Sequence, residues 1–388
     1  MAAVWEFVRA KFWSKWFWLP EAYTWDDFKN VDNGIYHPQV SDLLVPIPLA
    51  ILLCVIRIIF ERYVARPFGR YCGLKDSVPK CRPCPVLEEI YKKRKFPNYS
   101  EIEGVSKQTD LSVRQIERWF RLRRIQNRPP VLSKFGEASW RFFFYIVAFW
   151  YGVFILYNKP WVWDSKQWWV GYPHHHVSND IYYYYAFESA FYISLIMSQF
   201  RDVKRKDFAE MMVHHFATLS LMFLSWCQNM VRVGCMVLVV HDAVDYWLEA
   251  AKMAKYVKRQ KICDTMFTIF FLVWIVTRMM FFPFKIIRST LFEAHTIVGI
   301  CNVYFVYNIL LITLQVLHIF WFIIIVKMAY AALKKGELGN DNRSASEEEI
   351  SEESEGERLP DSNDQPKMAN SRNGVISSRA LGRRIKTS

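Results

Sequence analysis

The chain has 388 residues, of which 52% are hydrophobic and 17% aromatic, and its formal net charge is +13. Its last fifty residues are almost free of aromatic side chains, so the rest of the chain is far more apolar than the average suggests. This composition excludes a wholly disordered protein. A small disulfide-stapled domain is also excluded, because the eight cysteines are scattered and Cys54, Cys227 and Cys235 lie in apolar runs. The positive charge would suit nucleic acid, anionic lipid or an anionic substrate, and charge alone does not choose among them.

Seven segments are predicted to span a membrane as helices, since a spanning helix needs about 20 mostly apolar residues. They lie at residues 42–60, 140–157, 181–200, 208–226, 230–251, 262–282 and 300–326. The fifth segment carries His241, Asp242 and Asp245, so it fits only as a buried member of a bundle. The predicted fold class is therefore all-α: a polytopic membrane helical bundle of about seven transmembrane helices with a small cytosolic helical module.

The basic loops predict the orientation, because Lys and Arg beside membrane spans stay in the cytosol. Residues 61–134 hold eighteen Lys and Arg against eight Asp and Glu, and the loops 201–206 and 252–261 are also basic. All three lie on the cytosolic side if the N-terminus is lumenal and seven helices follow. The C-terminus is then cytosolic.

Four domains are predicted from these spans and from composition. They are a lumenal N-terminus with the first transmembrane helix at 1–61, a soluble cytosolic module at 62–130, a domain of six transmembrane helices at 131–335 and a disordered, acidic, Ser-rich cytosolic tail at 336–388. In the tail, Ser346, Ser351 and Ser354 stand beside acidic residues, a context that suits phosphorylation by acidophilic kinases. A tail that only solubilises the protein is the alternative interpretation.

A cluster of ionisable residues is predicted inside the membrane. The fourth predicted helix begins near Phe208 and reaches His214 and His215 within two turns, while the fifth runs the other way and places Asp242 and Asp245 at matching depth, about 10 Å from the same end. Ionisable groups inside a bilayer are expensive and point to function. A histidine beside a carboxylate can act as a general base or as a nucleophile, so we expect these four residues to be catalytic. A hydrogen-bonded network that joins the two helices is the alternative.

A metal site is the competing chemical interpretation, because histidine and carboxylate groups bind zinc and iron. Membrane di-iron enzymes use repeated histidine clusters, whereas this chain offers one His pair, His241 and a His174-His-His176 run on the opposite face. The run Cys81-Arg-Pro-Cys84 is a lone CxxC without a second pair. We therefore predict no metal and no cofactor.

Four runs of the sequence resemble the Lag motif of the ceramide synthases, which lies within their TLC domain. They are Asp202-Val-Lys-Arg-Lys-Asp-Phe208, His214-His215, Arg232-Val-Gly and the run from His241-Asp-Ala-Val-Asp245 to Leu-Glu-Ala-Ala-Lys252. Arg118-Trp-Phe-Arg121, which precedes two further arginines, resembles the homeobox-like module of the animal members. The resemblance covers nearly the whole chain.

The resemblance implies a multi-pass enzyme of the endoplasmic reticulum membrane. It would transfer a fatty acyl group from acyl-CoA, its co-substrate, to the amine of sphinganine or sphingosine and so produce dihydroceramide or ceramide. His214 would form an acyl-imidazole, or a histidine would act only as the base while the amine attacks directly. A non-catalytic TLC-domain lipid carrier or sensor is the alternative function. Membrane lipids are expected partners, and a homodimer or a heterodimer with other ceramide synthases is left open.

Further residues are candidates for substrate binding and selectivity. Lys204, Arg205 and Lys206 are expected to meet the CoA phosphates, with His241 and Arg232 as additional substrate-binding residues. By resemblance, acyl-chain selectivity is assigned to the loop between the last two helices, about residues 293–303. The candidates there are Glu293, Ala294, His295, Thr296, Ile297 and Val298. The sequence does not give the acyl length.

Residues 113–124 resemble a homeodomain recognition helix that Asp110 or Ser112 could cap. The side chains predicted to form its core face are Ile116, Trp119 and Phe120. Sequence-specific DNA binding requires an asparagine that contacts adenine, and Leu122 stands at that position. We therefore predict that nucleic acid is not a partner and that the basic face meets lipid headgroups or CoA.

Overall fold

The computed structural model describes residues 2–31, 34–76, 78, 80–200, 202 and 206–335, and within them it contains helices and no strand. The helices are α1 (Ala2–Phe12), α2 (Lys15–Trp18), α3 (Pro46–Phe60), α4 (Arg66–Tyr71), α5 (Pro85–Lys93), α6 (Tyr99–Gln108), α7 (Val113–Gln126), α8 (Val131–Leu156), α9 (Asn179–Gln199), α10 (Phe208–Cys227), α11 (Val231–Tyr256), α12 (Gln260–Trp274), α13 (Ala294–Ile297) and α14 (Asn302–Lys335). A π-helical run, Glu61–Ala65, joins α3 to α4, and two more, Ile275–Ile287 and Ser289–Glu293, continue α12 towards α13. The all-α prediction is confirmed.

Four helical segments of the described chain are long and apolar enough to cross a membrane. They are Val40–Tyr71, Val113–Leu156, Gln260–Ile297 and Asn302–Lys334. The chain is therefore a multi-pass membrane protein, but the predicted count of seven spans is not confirmed. Helices α9, α10 and α11 form where three further spans were predicted. Each of the three carries buried ionisable side chains, which lower its hydropathy below that of a lipid-facing helix.

Helix α11 is central to the bundle, where it packs against α8 and α12, while α10 packs against α9 and α14. The bundle core is aromatic: the rings of Phe144 and Phe191 stack with centroids 3.4 Å apart. Glycine lets the helices approach where a tyrosine crosses them. A Cβ placed on Gly152 would lie 2.9 Å from the hydroxyl of Tyr184, and one on Gly234 would clash with that of Tyr185.

One end of the bundle is covered by two connecting segments, which we call the aromatic cap (residues 13–31, 34–44 and 157–178). Hydrogen bonds from helix ends hold it in place: the Trp226 indole N–H donates to the Gln39 carbonyl oxygen (3.0 Å), and Asn302 Nδ2 donates to that of Trp16 (2.8 Å). Gln228 Nε2 also donates to the carbonyl oxygen of Trp18, whose side chain is 1% exposed. At the opposite end, which we call the basic end, lie residues 200, 202, 206–207 and 257–259.

Helices α5, α6 and α7 form a small module with a core of its own. Its buried side chains are Leu87, Tyr91, Ile102, Val105, Ile116, Trp119 and Phe120, so the predicted core face of α7 is confirmed. Ser112 caps α7, because its Oγ accepts a hydrogen bond from the Gln115 backbone N–H (3.3 Å). A two-pronged ion pair between Arg123 and Glu88 then joins α7 to α5 (2.7 Å).

Several predictions concern residues that the structure does not describe. The tail at 336–388, with Ser346, Ser351 and Ser354, lies outside the described residues, as do Lys204 and Arg205. The phosphorylation sites therefore stay predictions.

The stability of the aromatic cap is expected to depend on pH through His175. Burial lowers the pKa of this imidazole to about 4, and the nearby charge of Arg232 acts in the same direction. An unfolded histidine binds a proton below about pH 6.5, so acidification from about pH 7 to about pH 5 favours the unfolded state. We expect the free energy of unfolding to fall by up to about 2 kcal/mol over this range.

Thermal unfolding in detergent at several pH values measures this loss. The variant His175→Gln, whose amide can still donate to the Val170 carbonyl oxygen as the ring does (2.9 Å), should reduce the pH dependence. His174 is the exposed neighbour of His175, so the variant His174→Gln is the control and should keep most of the pH dependence. Equal pH dependence in wild type and His175→Gln would contradict this explanation.

Candidate functional site

A polar cavity lies towards the basic end of the bundle and, together with the open solvent at its mouth, contains about 990 Å³ of space not filled by protein atoms. Its charged and imidazole-bearing lining residues are Arg141, Asp202, Asp207, His214, His215, Asp245, Glu249, Lys252 and Arg278. The structure thus brings the predicted His pair and Asp245 to one cavity. It adds several charges that were not predicted for the site.

The two histidines of the pair have different surroundings. His215 Nδ1 lies 3.0 Å from Gln199 Oε1, and the orientation of that amide is set because its Nε2 donates to the Phe208 carbonyl oxygen (3.3 Å). Since the amide oxygen can only accept, Nδ1 of His215 carries the hydrogen and Nε2 keeps its lone pair when the ring is neutral. The Nδ1 of His214 has no hydrogen-bond partner among the described residues. The His214 ring centroid lies 6.0 Å from that of His241 and 5.6 Å from that of Trp321.

The two aspartates also differ. Asp245 lines the polar cavity and accepts a hydrogen bond from Arg278 (2.8 Å). Asp242 is fully buried, does not line the cavity, and accepts no hydrogen bond from any described donor. Among the described residues, neither aspartate forms a hydrogen bond with His214 or His215.

Three arginines join elements at this end of the bundle. Arg278 also donates to the His241 carbonyl oxygen (3.1 Å), and its guanidinium lies 4.4 Å from the ring centroid of Trp274. On the other side of the cavity, Asp202 binds both Arg57 (2.8 Å) and Arg141 (2.9 Å). Burial alone would raise the pKa of Asp202, but the attraction of these two guanidinium groups lowers it.

The predicted substrate-binding residues do not share one location. His241 does not line the polar cavity but lies on the far side of His214 from it. The Nδ1 of His241 faces the Val237 carbonyl oxygen (2.6 Å), and its Nε2 lies 3.0 Å from Nε2 of the buried His318. Lys206 is exposed at the basic end. Arg232 lies near the start of α11, at the capped end, where it donates to the Gln167 carbonyl oxygen. The structure therefore does not bring Arg232 to the His pair.

A second, apolar cavity lies on the capped side of the His pair and, together with the open space at its mouth, contains about 760 Å³ not filled by protein atoms. It begins beside Thr218, one helical turn from His214, and reaches Val298 and Cys301 beside the cap. Of the six predicted selectivity residues, Ala294 and Val298 line this cavity.

The other four selectivity residues lie outside the lining of the apolar cavity. Glu293 accepts a hydrogen bond from Ser289 (2.6 Å), His295 Nδ1 lies 2.8 Å from the Leu291 carbonyl oxygen, and Thr296 and Ile297 are exposed. The prediction of a loop over residues 293–303 is therefore corrected. Residues 294–297 form α13, and only residues 298–301 are non-helical. The chain continues its helix there with a bond from the Val298 N–H to the Ala294 carbonyl oxygen (2.8 Å).

Metal binding finds no support in the geometry of the described residues, where no three His, Cys, Asp or Glu side chains converge in a way that could hold a metal ion. In the CxxC run, the Cys81 thiol lies 3.0 Å from the side-chain oxygen of Gln126.

Comparison with known proteins decides which family has this architecture. Residues 134–327 match the model of the TLC domain, and residues 84–129 match that of the homeodomain. Human ceramide synthase 5 is 44% identical over 343 residues, covering 88% of each chain, and human ceramide synthase 4 is 40% identical over 345 residues, covering 88% of this chain and 87% of its own. Human ceramide synthase 3 is 42% identical over 318 residues, covering 82% and 83%. The chain belongs to the ceramide synthase family.

In this ceramide synthase, three buried residues of the bundle and the half-buried Arg141 were missed by the sequence analysis. They are Arg141, Glu188, Arg278 and His318. Each is an ionisable residue within a segment predicted to span the membrane. The rule that pointed to the His pair, that intramembrane ionisable residues are functional by default, would have found all four.

Removal of the Arg278 guanidinium is expected to destabilise this ceramide synthase. The substitution Arg278→Gln leaves the Asp245 carboxylate and the His241 carbonyl oxygen without their donor, and breaking a buried ion pair costs about 3 kcal/mol or more. Thermal unfolding in detergent measures the loss. The exposed arginine on the same helical run provides the control, Arg288→Gln, which should unfold like wild type. Equal midpoints for the two variants would contradict the role of the ion pair.

Proposed function

We propose that the polar cavity is the acyl-transfer centre of this ceramide synthase. The enzyme is an acyl-CoA-dependent sphingoid base N-acyltransferase, and its substrates are a fatty acyl-CoA and a sphingoid base. Sphinganine would give dihydroceramide, and sphingosine would give ceramide. The reaction needs no metal and no cofactor apart from acyl-CoA as co-substrate.

The observation that supports this proposal is the position of His214 between two unlike cavities. His214 lines the polar cavity, and Thr218, one turn further along α10, lines the apolar cavity. A fatty acyl thioester has the same division, because an apolar chain ends at a reactive carbonyl joined to a polar carrier. With the chain in the apolar cavity, the carbonyl carbon meets the His214 ring.

Two routes are open to the carbonyl carbon at this point. In the covalent route, a nitrogen of neutral His214 attacks it, the C–S bond breaks, and the ring proton passes to the CoA thiolate. The amine of the sphingoid base then attacks the acyl-imidazole, the C–N bond to the ring breaks, and the imidazole regains a proton. In the direct route, the amine attacks the thioester carbonyl while a histidine removes its proton, the C–S bond breaks, and the histidine returns the proton to the CoA thiolate.

The remaining charges of the polar cavity suit the other groups of the substrates. His215, whose Nε2 keeps its lone pair, is the second base, and Asp245 can attract the ammonium of the sphingoid base and accept its proton. Lys252 lines the cavity, and Lys206 stands at the same end, where the phosphates of CoA would meet positive charge. Lys204 and Arg205 belong to the same basic run of the sequence.

The same basic residues support an orientation in which the basic end faces the cytosol and the aromatic cap faces the lumen. The N-terminus is then lumenal and the C-terminus cytosolic. We place the enzyme in the endoplasmic reticulum membrane, and dimerisation stays a prediction.

Loss of the His214 ring should abolish acyl transfer. We expect His214→Ala to lower turnover of acyl-CoA and sphinganine by at least about 100-fold, because a positioned base or nucleophile contributes this much or more. Product formation by the purified protein, measured by mass spectrometry, tests this. If wild type is incubated with acyl-CoA alone, an acyl adduct in the intact mass that His214→Ala lacks supports the covalent route. A wild type that binds lipid but makes no N-acylated product would favour the carrier alternative.

Larger side chains at the far end of the apolar cavity should shift the enzyme towards shorter acyl chains. We expect Ala294→Leu and Val298→Phe to lower kcat/KM for the longest accepted acyl-CoA by about tenfold relative to a shorter one, since each lost methylene contact is worth about 0.8 kcal/mol. A competition assay with an acyl-CoA panel measures this ratio. The matched controls Thr296→Leu and Ile297→Phe change exposed neighbours and should leave it unchanged. An unchanged ratio in both cavity variants would contradict the placement of the acyl chain.

A further inference from the structure

The side chain of Glu188 on α9 meets that of Asp242 on α11 in the middle of the bundle. Both residues are 0% exposed, and their carboxyl groups lie within hydrogen-bonding reach of each other. No N–H or O–H group of another described residue donates to any of the four carboxyl oxygens. The two carboxyl groups are therefore each other's polar contact.

Two carboxylates in contact cannot both keep a charge away from water, and two bare oxygens cannot form a hydrogen bond. A single proton between the groups removes both difficulties, because one carboxyl then donates and the other accepts. The nearest cation does not substitute for this proton, since Arg278 makes its hydrogen bond to Asp245 and not to Asp242.

The groups around the pair agree with one shared proton. The titratable side chains that interact with it electrostatically from α8, α9 and α11 are Tyr145, Tyr184, Tyr192, Cys235 and Asp245, and Arg278 faces it from the π-helical run after α12. The Tyr184 hydroxyl is buried and has no hydrogen-bond partner among the described residues. The described surroundings thus supply hydroxyl groups, a thiol and the ion pair of Arg278 with Asp245, so no unpaired cation is available to balance two negative charges on the pair.

We propose that Glu188 and Asp242 share one proton and that Glu188 is thereby a positioning residue for acyl transfer. The pair joins α9 to α11 and fixes the rotation of α11 at the turn that presents Asp245 to the polar cavity and His241 to the back of His214. Asp242 then acts through the helix and does not touch the reacting atoms. This inference rests on the proposed function for its catalytic consequence, whereas the shared proton is a property of the protein alone.

The test compares Glu188→Gln with Glu188→Ala in the purified full-length protein, with Glu89→Gln, an exposed residue of α5, as control. Glutamine can donate its N–H to an ionised Asp242 and keeps the contact without any shared proton, whereas alanine leaves Asp242 alone. We expect Glu188→Gln to retain acyl transfer within about threefold of wild type and Glu188→Ala to lose at least about tenfold. Glu89→Gln should behave as wild type.

Infrared difference spectra in an ester-free detergent give a readout that does not depend on activity. The wild-type minus Glu188→Gln spectrum should show the C=O stretch of a protonated carboxylic acid, and the wild-type minus Glu89→Gln spectrum should not. Absence of that band overturns the shared proton, even if Glu188→Ala fails to fold. Full activity of Glu188→Ala, or equal loss in Glu188→Gln and Glu188→Ala, overturns the positioning role. If wild type made no N-acylated product, the proposed function would fail while the infrared band still decided the pairing.

Discussion

The need to neutralise charge inside an apolar bundle governs the arrangement of this protein. An unpaired ion away from water costs several kcal/mol. Each buried ionisable group near the His pair is therefore either paired with an opposite charge or neutral. Arg278 pairs with Asp245, and Asp202 pairs with two arginines. These contacts decide which helices are neighbours, because each one joins a different pair of elements. The bundle is thus specified by a few polar contacts as much as by its aromatic packing.

The same contacts separate two kinds of acidic residue on α11. Asp245 faces the polar cavity with a cation beside it, and Asp242, three residues earlier, faces another carboxyl group in the core. A spacing of three residues puts two side chains on one broad face of a helix, but about 60° apart. That angle is enough to direct one aspartate to the cavity and the other to α9.

Much of the fold was predictable from the sequence, and part of the site was. Apolar runs located α9 and α10 to within two residues, but α8 begins nine residues before its predicted span and α14 ends nine residues after its own. Counting from the helix ends placed His214, His215 and Asp245 at one depth, where the structure brings them to one cavity. Depth does not reveal which helices touch, so the partners Gln199, Arg278 and Glu188 could not be assigned. Nor could the pattern show that the π-helical run after α12 carries the chain on into α13, because a helix end within an apolar stretch has no clear signal.

The aromatic cap has a consequence for how the protein is made. Its hydrogen bonds join Trp16 to Asn302 and Trp18 to Gln228, which are 286 and 210 residues apart along the chain. Trp18 is therefore without this partner until α10 has been synthesised, and Trp16 until α14 begins. Contacts of such long sequence separation form late, because the intervening chain must be ordered first. The cap is therefore complete only after the whole bundle has assembled. A chain that ends before α14 lacks the partner of Trp16, so its N-terminal segment cannot be fully held.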